Sequence, residues 1–167
     1  MPRANAFTPI SPLMRINIAL TLLLAALLWL SHLLEPAQSQ PPLLNIEAHT
    51  VGEINVQRQG KIVLSLLRDK DGWMLTHPDV GRASDKRVGQ LLSLTRMPAL
   101  TPLPDAQPAQ FGLAPPRLLV AFDQQLIAFG ESSVPGGQRY ALVDGKVYLV
   151  DDAYYRIAGL PGSHFLE

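Results

Sequence analysis

The sequence of 167 residues contains no cysteine. This excludes disulfide bridges, thiolate catalysis and cysteine-ligated zinc. Charged residues are also scarce, at 17% of the chain, and 14 basic side chains balance 14 acidic ones. Lysines and arginines never occur four or more in a row. Because nucleic-acid binding needs a basic surface, no nucleic-acid partner is expected. The length corresponds to one modest domain.

Sequence motifs that carry chemistry are missing as well. The chain has no G-x-S-x-G elbow, no G-x-x-x-x-G-K-[ST] phosphate loop and no H-E-x-x-H pair. His49, His77 and His164 are far apart, and helix capping explains the adjacent Asp151 and Asp152. We therefore expect a non-catalytic protein without a metal or cofactor. An unrecognised hydrolase that uses His77, Asp151 and Asp152 is the weaker alternative.

The longest apolar run covers residues 16–34, where 15 of 19 side chains are apolar. As a helix rising ~1.5 Å per residue it would be about 28 Å long, close to the ~30 Å hydrocarbon core of a bilayer. Between Leu20 and Leu30 apolar residues occupy every helical face, which leaves no polar stripe for a soluble helix. The run therefore predicts a transmembrane helix over 16–34.

Charges flanking this run predict its orientation. Arg3 and Arg15 precede it, whereas the first charge after it is Glu35. The positive-inside rule then places the N-terminal side in the cytoplasm. A cleaved signal peptide is the alternative, although residues 34–37, Leu-Glu-Pro-Ala, fit the Ala-x-Ala pattern of a cleavage site poorly. The expected single-pass membrane protein has a cytoplasmic segment 1–15, the span 16–34, a Pro/Gln-rich linker 35–42 and an outward-facing α+β domain 43–167.

Short apolar segments separated by turn residues follow the linker. Ser84 or Asp85 can cap a helix that buries Val88 and covers the sheet, and Asp151 and Asp152 can begin a second, short helix. The pattern predicts an α+β domain with a mostly antiparallel sheet of about seven short strands and two helices. The strands are expected at 54–56, 62–67, 73–76, 118–122, 126–129, 140–143 and 147–150.

Six of the 19 residues from Pro98 to Pro116 are proline, which predicts an extended crossing segment. Trp73 is expected to anchor the buried sheet face. Tyr154 and Tyr155 are neighbours, so one should face the core and the other solvent. The candidate interaction residues are Trp73, Phe111, Tyr154 and Tyr155.

Several short motifs occur in a familiar order. An Ile54-x-Val56 strand precedes Gly72-Trp73-x-Leu75, and later come Phe111-Gly-Leu-Ala-x-Pro116, Phe129-Gly130 and a Tyr140 to Tyr148 hairpin. From about 44 to 155 the chain resembles the bacterial family catalogued as domain of unknown function 4340. The residues matching the family pattern in structural positions are Trp73, Gly112, Leu113, Pro116, Gly130, Tyr140 and Tyr148.

The resemblance implies an envelope protein, sometimes encoded beside transporter components, with no established catalytic residues. The family's usual aspartate is replaced by Ala114, which argues against a role for that carboxylate. Gly112 should permit a tight turn, with Phe111 and Leu113 filling space under the helix.

Two functions follow as expectations. The first is a non-catalytic, single-pass inner-membrane protein whose periplasmic domain is an accessory or scaffold subunit of an envelope complex, with an export system as one such complex. The alternative is a binding module that captures a small molecule, glycan or peptide in a cleft beside the proline-rich segment.

Overall fold

A computed structural model describes residues 12–33, 41–98, 100–133 and 137–167. The chain divides into two units, 1–39 and 40–167. Helix α1, Pro12–Leu33, is the described part of the first unit. Across the described residues, no helix meets the combined length and hydropathy of a membrane span. The predicted segment 1–15 and linker 35–42 lie largely outside the described residues, and the membrane span stays a prediction.

The second unit is built on one antiparallel sheet, which has eight strands within the described residues. Its spatial order is β4-β3-β2-β1-β5-β6-β7-β8, so two meanders meet where β1 pairs with β5. The strands are β1 Glu53–Arg58, β2 Lys61–Asp69, β3 Gly72–His77, β4 Gly81–Arg82, β5 Leu118–Phe122, β6 Gln125–Ser132, β7 Gln138–Val143 and β8 Lys146–Asp151.

The predicted α+β class and antiparallel sheet are therefore confirmed. The described chain has one strand more than expected, because Gly81–Arg82 pairs with Met74 and Leu75 of β3. Two residues are too few to show an alternating apolar pattern, and this strand follows Pro78 and Asp79. The addition extends the first meander by one edge strand.

One face of the sheet carries the main core. Leu64, Leu75 and Phe122 of the strands are buried there together with Val88 and Leu91 of helix α2, Asp85–Leu92. Val88 and Leu91 are three positions apart, so their side chains lie on the same side of α2. The helix thus covers the sheet as predicted. A third helix, α3 Asp152–Ala158, packs against the same core through Ala158.

The proline-rich segment lies against the opposite sheet face. Leu103 and Phe111 pack in a second cluster with Leu113 and Val147, and the Leu103 N–H donates to the Val147 carbonyl over 2.8 Å. The expectation that Phe111 and Leu113 fill space under the helix is wrong, because α2 covers the other face. Burying apolar side chains on both faces of β5 to β8 requires a cover on each side.

The two helix starts in this unit differ in how they are capped. The Asp151 carboxylate accepts the Ala153 N–H over 2.7 Å, whereas the Ser84 side chain caps no N–H of the described chain. We expect Asp151→Ala to lower the free energy of unfolding by about 1 kcal/mol, because it removes a cap bond. Ser84→Ala should change it by less than about 0.5 kcal/mol. Urea unfolding checks both, and equal losses would contradict this capping difference.

Candidate functional site

Antiparallel pairing brings charged residues from distant parts of the chain to one end of the sheet. Arg58 ends β1 and pairs with Leu118, the first residue of β5, directly after Arg117. Leu118 pairs with Phe129, two residues before Glu131. Ser132 pairs with Arg139 near the start of β7, and Asp152 follows β8 at the same end. We call this set the charged row: Arg58, Arg117, Glu131, Arg139 and Asp152.

Arg139 is the most buried cation of the row. Its Nε lies 2.6 Å from Asp152 Oδ1, and its Nη1 donates to the Gly130 carbonyl over 2.6 Å. The two side chains are only 12% and 21% exposed. Charge-assisted hydrogen bonds of this kind are stronger than neutral ones. The pair therefore joins the start of α3 to strands β6 and β7.

Tyr155 is held in place by this pair. The Arg139 guanidinium carbon lies 3.7 Å from the centroid of the Tyr155 ring, in the arrangement of a cation–π contact. The ring of Phe129 meets Tyr155 edge-on, with centroids 6.0 Å apart. Contacts with a largely buried cation and a buried aromatic ring restrict the movement of the Tyr155 side chain.

A cleft of about 590 Å³ opens beside Tyr155. We call it the sheet-end cleft. Its volume lies in the ~300–1,000 Å³ range of ligand pockets. The β1–β2 turn, the end of the proline-rich segment, and residues from β6 and α3 form its walls. They contribute Arg58, Gln59, Gly60, Gly112, Pro115, Pro116, Arg117, Glu131 and Tyr155.

The charged side chains of the sheet-end cleft are only partly neutralised. Arg117 Nη2 lies 3.0 Å from Glu131 Oε1, and the two side chains are 58% and 54% exposed. Arg58 Nη2 donates to the Gly159 carbonyl over 2.9 Å, and no carboxylate pairs with Arg58 among the described residues. With Arg58 and Arg117 against Glu131, the lining of the cleft carries a net positive charge. Such a site attracts anionic groups.

A smaller cleft of about 300 Å³ lies at the sheet edge beside Tyr154. Pro98 and Leu100, near the start of the proline-rich segment, line it together with Val150 and Asp151 of β8. The expectation that one tyrosine faces the core and the other solvent is wrong, since Tyr154 and Tyr155 are both half-buried and both pack against the main core. Each tyrosine lines a different cleft.

The remaining candidate interaction residues have structural positions. Trp73 is 4% exposed in the main core, so it anchors the buried face as expected and offers almost no surface to a partner. Naming it as an interaction residue is corrected on that ground. Phe111 is half-buried against Tyr140, with ring centroids 4.3 Å apart. It supports the proline-rich segment.

The other residues of the family pattern also form structure. Gly112 has φ +67°, the left-handed conformation that ends the short 3-10 helix Pro108–Phe111. Leu113 pairs with Pro116 in an isolated bridge. Gly130 lies directly beneath this turn, whereas Tyr148 packs against the main core on the other face. These positions account for the pattern without catalysis.

The hydrolase alternative named His77, Asp151 and Asp152. The two aspartates have structural partners, and the histidine is exposed to solvent. Asp151 caps α3, Asp152 pairs with Arg139, and His77 is exposed at the end of β3. Within the described chain, no three His, Asp or Glu side chains lie together as a metal site would require.

Sequence reasoning missed the arginines of the charged row. Arg58, Arg117 and Arg139 lie at strand ends and share no short motif. The available signal was a charged residue at the boundary of each of three strands. These charged residues can be recognised as one site only when the order of the strands in the sheet is known.

Comparison of the chain with protein-family models, curated proteins and solved structures finds no match. The resemblance to the domain of unknown function 4340 therefore stays a prediction.

Proposed function

We propose that this protein is a non-catalytic, single-pass inner-membrane protein whose periplasmic domain acts as an accessory or scaffold subunit of an envelope complex, an export system being one such complex. The observation that carries the proposal is the apolar run at 16–34, preceded by Arg15 and followed by Glu35. In the sequence this run approaches the length of a bilayer span, although no helix of the described residues meets the combined length and hydropathy of one, and its flanking charges favour a cytoplasmic N-terminal side.

The described part of α1 supports the membrane assignment. Leu22, Leu24 and Trp29 are 65%, 60% and 73% exposed. Exposing apolar surface to water costs about 25 cal/mol per Å², which a lipid environment removes. The hydroxyl of Thr21 donates to the Asn17 carbonyl over 2.8 Å, so this polar group has a partner inside its own helix.

The second unit supports an accessory role. The sheet-end cleft and the smaller cleft beside Tyr154 adjoin the two ends of the proline-rich segment. Several of the unit's polar groups form structural bonds, as in the cap at Asp151 and the pair of Arg139 with Asp152. A tethered domain of this kind works by holding a partner or ligand near the membrane surface.

The test is co-purification from the protein's own membranes. Gentle solubilisation of the full chain, followed by mass spectrometry, should recover stable membrane-protein companions. A chain with an unrelated single-pass anchor in place of residues 1–35 is the matched control. Companions lost in that control contact the anchor, and companions kept contact the periplasmic domain. A protein that purifies alone under both conditions contradicts the accessory role.

A binding module is the second candidate function. The sheet-end cleft favours it, because Pro115 and Pro116 place the cleft beside the proline-rich segment, where the sequence predicted one. A ligand that occupies the cleft should raise the melting temperature of the protein. A small molecule, a glycan and a peptide are the ligand types in question.

A further inference from the structure

Arg58 lines the sheet-end cleft, and its guanidinium has N–H donors available to a ligand. Its bond to the Gly159 carbonyl, 2.9 Å long, fixes one side of the guanidinium. A guanidinium carries five N–H donors in a planar fork, so most of its donors stay available. No carboxylate of the described chain takes them up. A fixed guanidinium of this kind suits a planar anionic group.

Arg117 provides a second cation on the neighbouring strand boundary. Its pair with Glu131 is more than half exposed on both sides. Exposed pairs of this kind contribute only ~0–1 kcal/mol, so an incoming anion can share or replace Glu131 at little cost. Arg58 and Arg117 thus flank the cleft from adjacent strands, β1 and the start of β5.

Tyr155 supplies the apolar part of the site. Arg139 and Phe129 hold its ring, so binding a ligand against it costs little side-chain entropy. Tyrosine is one of the residue types enriched in the core of binding interfaces. An anionic group at the arginines and an apolar or planar group at Tyr155 can be accommodated together in about 590 Å³.

We propose that the sheet-end cleft binds a ligand in which a carboxylate is joined to an apolar or aromatic group, with Arg58 and Arg117 on the carboxylate and Tyr155 on the apolar part. A guanidinium fork matches the two oxygens of a carboxylate bidentately. The C-terminal residue of a peptide and a small aromatic acid share this chemistry. The inference deepens the binding-module candidate and rests on it.

Ligand-observed NMR with the purified full chain tests the proposal. N-acetylphenylalanine is the carboxylate probe, and its neutral amide, N-acetylphenylalaninamide, is the matched control. The carboxylate should bind saturably and at least tenfold more tightly than the amide. Benzoate and phenyl phosphate form the second pair: tighter binding of benzoate supports a carboxylate ligand, and tighter binding of phenyl phosphate contradicts it.

Variants locate the binding. Arg58→Gln and Arg117→Gln should each weaken carboxylate binding at least tenfold. Lys61→Gln is the matched control, because Lys61 pairs with Arg58 across the β1–β2 hairpin and does not line the cleft. This control should change binding less than twofold. Equal losses from Arg58→Gln and Lys61→Gln would indicate general charge attraction and overturn the proposal.

Two further results overturn the site. They are equal affinity for the acid and the amide in the unaltered protein, and undiminished binding in both arginine variants. Circular dichroism of each variant separates lost binding from lost folding. Failure here leaves the tethered accessory role standing, because that role is measured by recovery of membrane-protein companions.

Discussion

Replacing Gly130 with alanine is expected to lower the free energy of unfolding by about 3 kcal/mol. An ideal Cβ at this position would overlap the Phe111 carbonyl oxygen and would lie 2.9 Å from Leu113 Cγ. The first of these atoms is backbone, so the turn that ends the proline-rich segment must move away from β6. Gly130 is buried, so the added methyl group cannot be accommodated by a shift toward solvent.

Gly89→Ala is the matched control for this glycine. An added Cβ there meets no heavy atom of the described chain within 4 Å, and Gly89 is exposed in the middle of α2. Alanine in a helix interior is more stable than glycine by roughly 0.5–1 kcal/mol, so this variant should be stabilised. Urea unfolding of both proteins measures the difference. A Gly130→Ala protein as stable as Gly89→Ala would contradict the close packing of the turn on β6.

The second large effect is expected at the buried pair of the charged row. Arg139→Met should lower the free energy of unfolding by about 3 kcal/mol, since it leaves the Asp152 carboxylate largely buried without its closest cation. The nearest remaining cation is Arg156, whose Nη1 is 3.9 Å from Asp152 Oδ2 on an exposed side chain. The Gly130 carbonyl loses a donor in the same variant.

Two comparisons isolate the cause of this loss. Arg117→Gln breaks an exposed pair and should cost less than about 1 kcal/mol. Adding Asp152→Asn to Arg139→Met removes the unpaired charge and should restore more than half of the lost stability. Denaturant unfolding of these variants provides the measurement. Equal losses from Arg117→Gln and Arg139→Met would show that burial does not set the strength of the Arg139 pair.

The sheet was predictable because its strands are short alternating segments bounded by turns. Val147 to Val150 follow Asp144-Gly145, and this hairpin forms as the dipeptide predicts. The face on which the proline-rich segment packs could not be read in this way. Leu103 and Phe111 are apolar and could cover either face of the sheet. They cover the face opposite α2 because α2 already occupies the other one.

A cleft beside the proline-rich segment was expected for the binding-module alternative, but its lining was not predictable. The sheet-end cleft lies at Pro115 and Pro116, the end of that segment. The two arginines that line this cleft, Arg58 and Arg117, are 59 residues apart in the sequence. Only the pairing of β1 with β5 brings both to the same cleft. Tyr155 was named as an interaction candidate, whereas its support by Arg139 depends on strand order. Long-range pairing of this kind leaves no local pattern in a sequence.

Release of the second unit, the proposed periplasmic domain, tests the central proposal, that the protein works tethered to the inner membrane. Three chains are compared in cells by cross-linking and mass spectrometry: the native chain, one with an unrelated anchor replacing 1–35, and one with a cleavable signal peptide preceding residue 40. Tethering raises the local concentration of the domain beside its partners. We expect the released domain to be folded, by protease resistance, and to recover at least tenfold less of the companions than the native chain. A released domain that recovers them in full would contradict the tethered role.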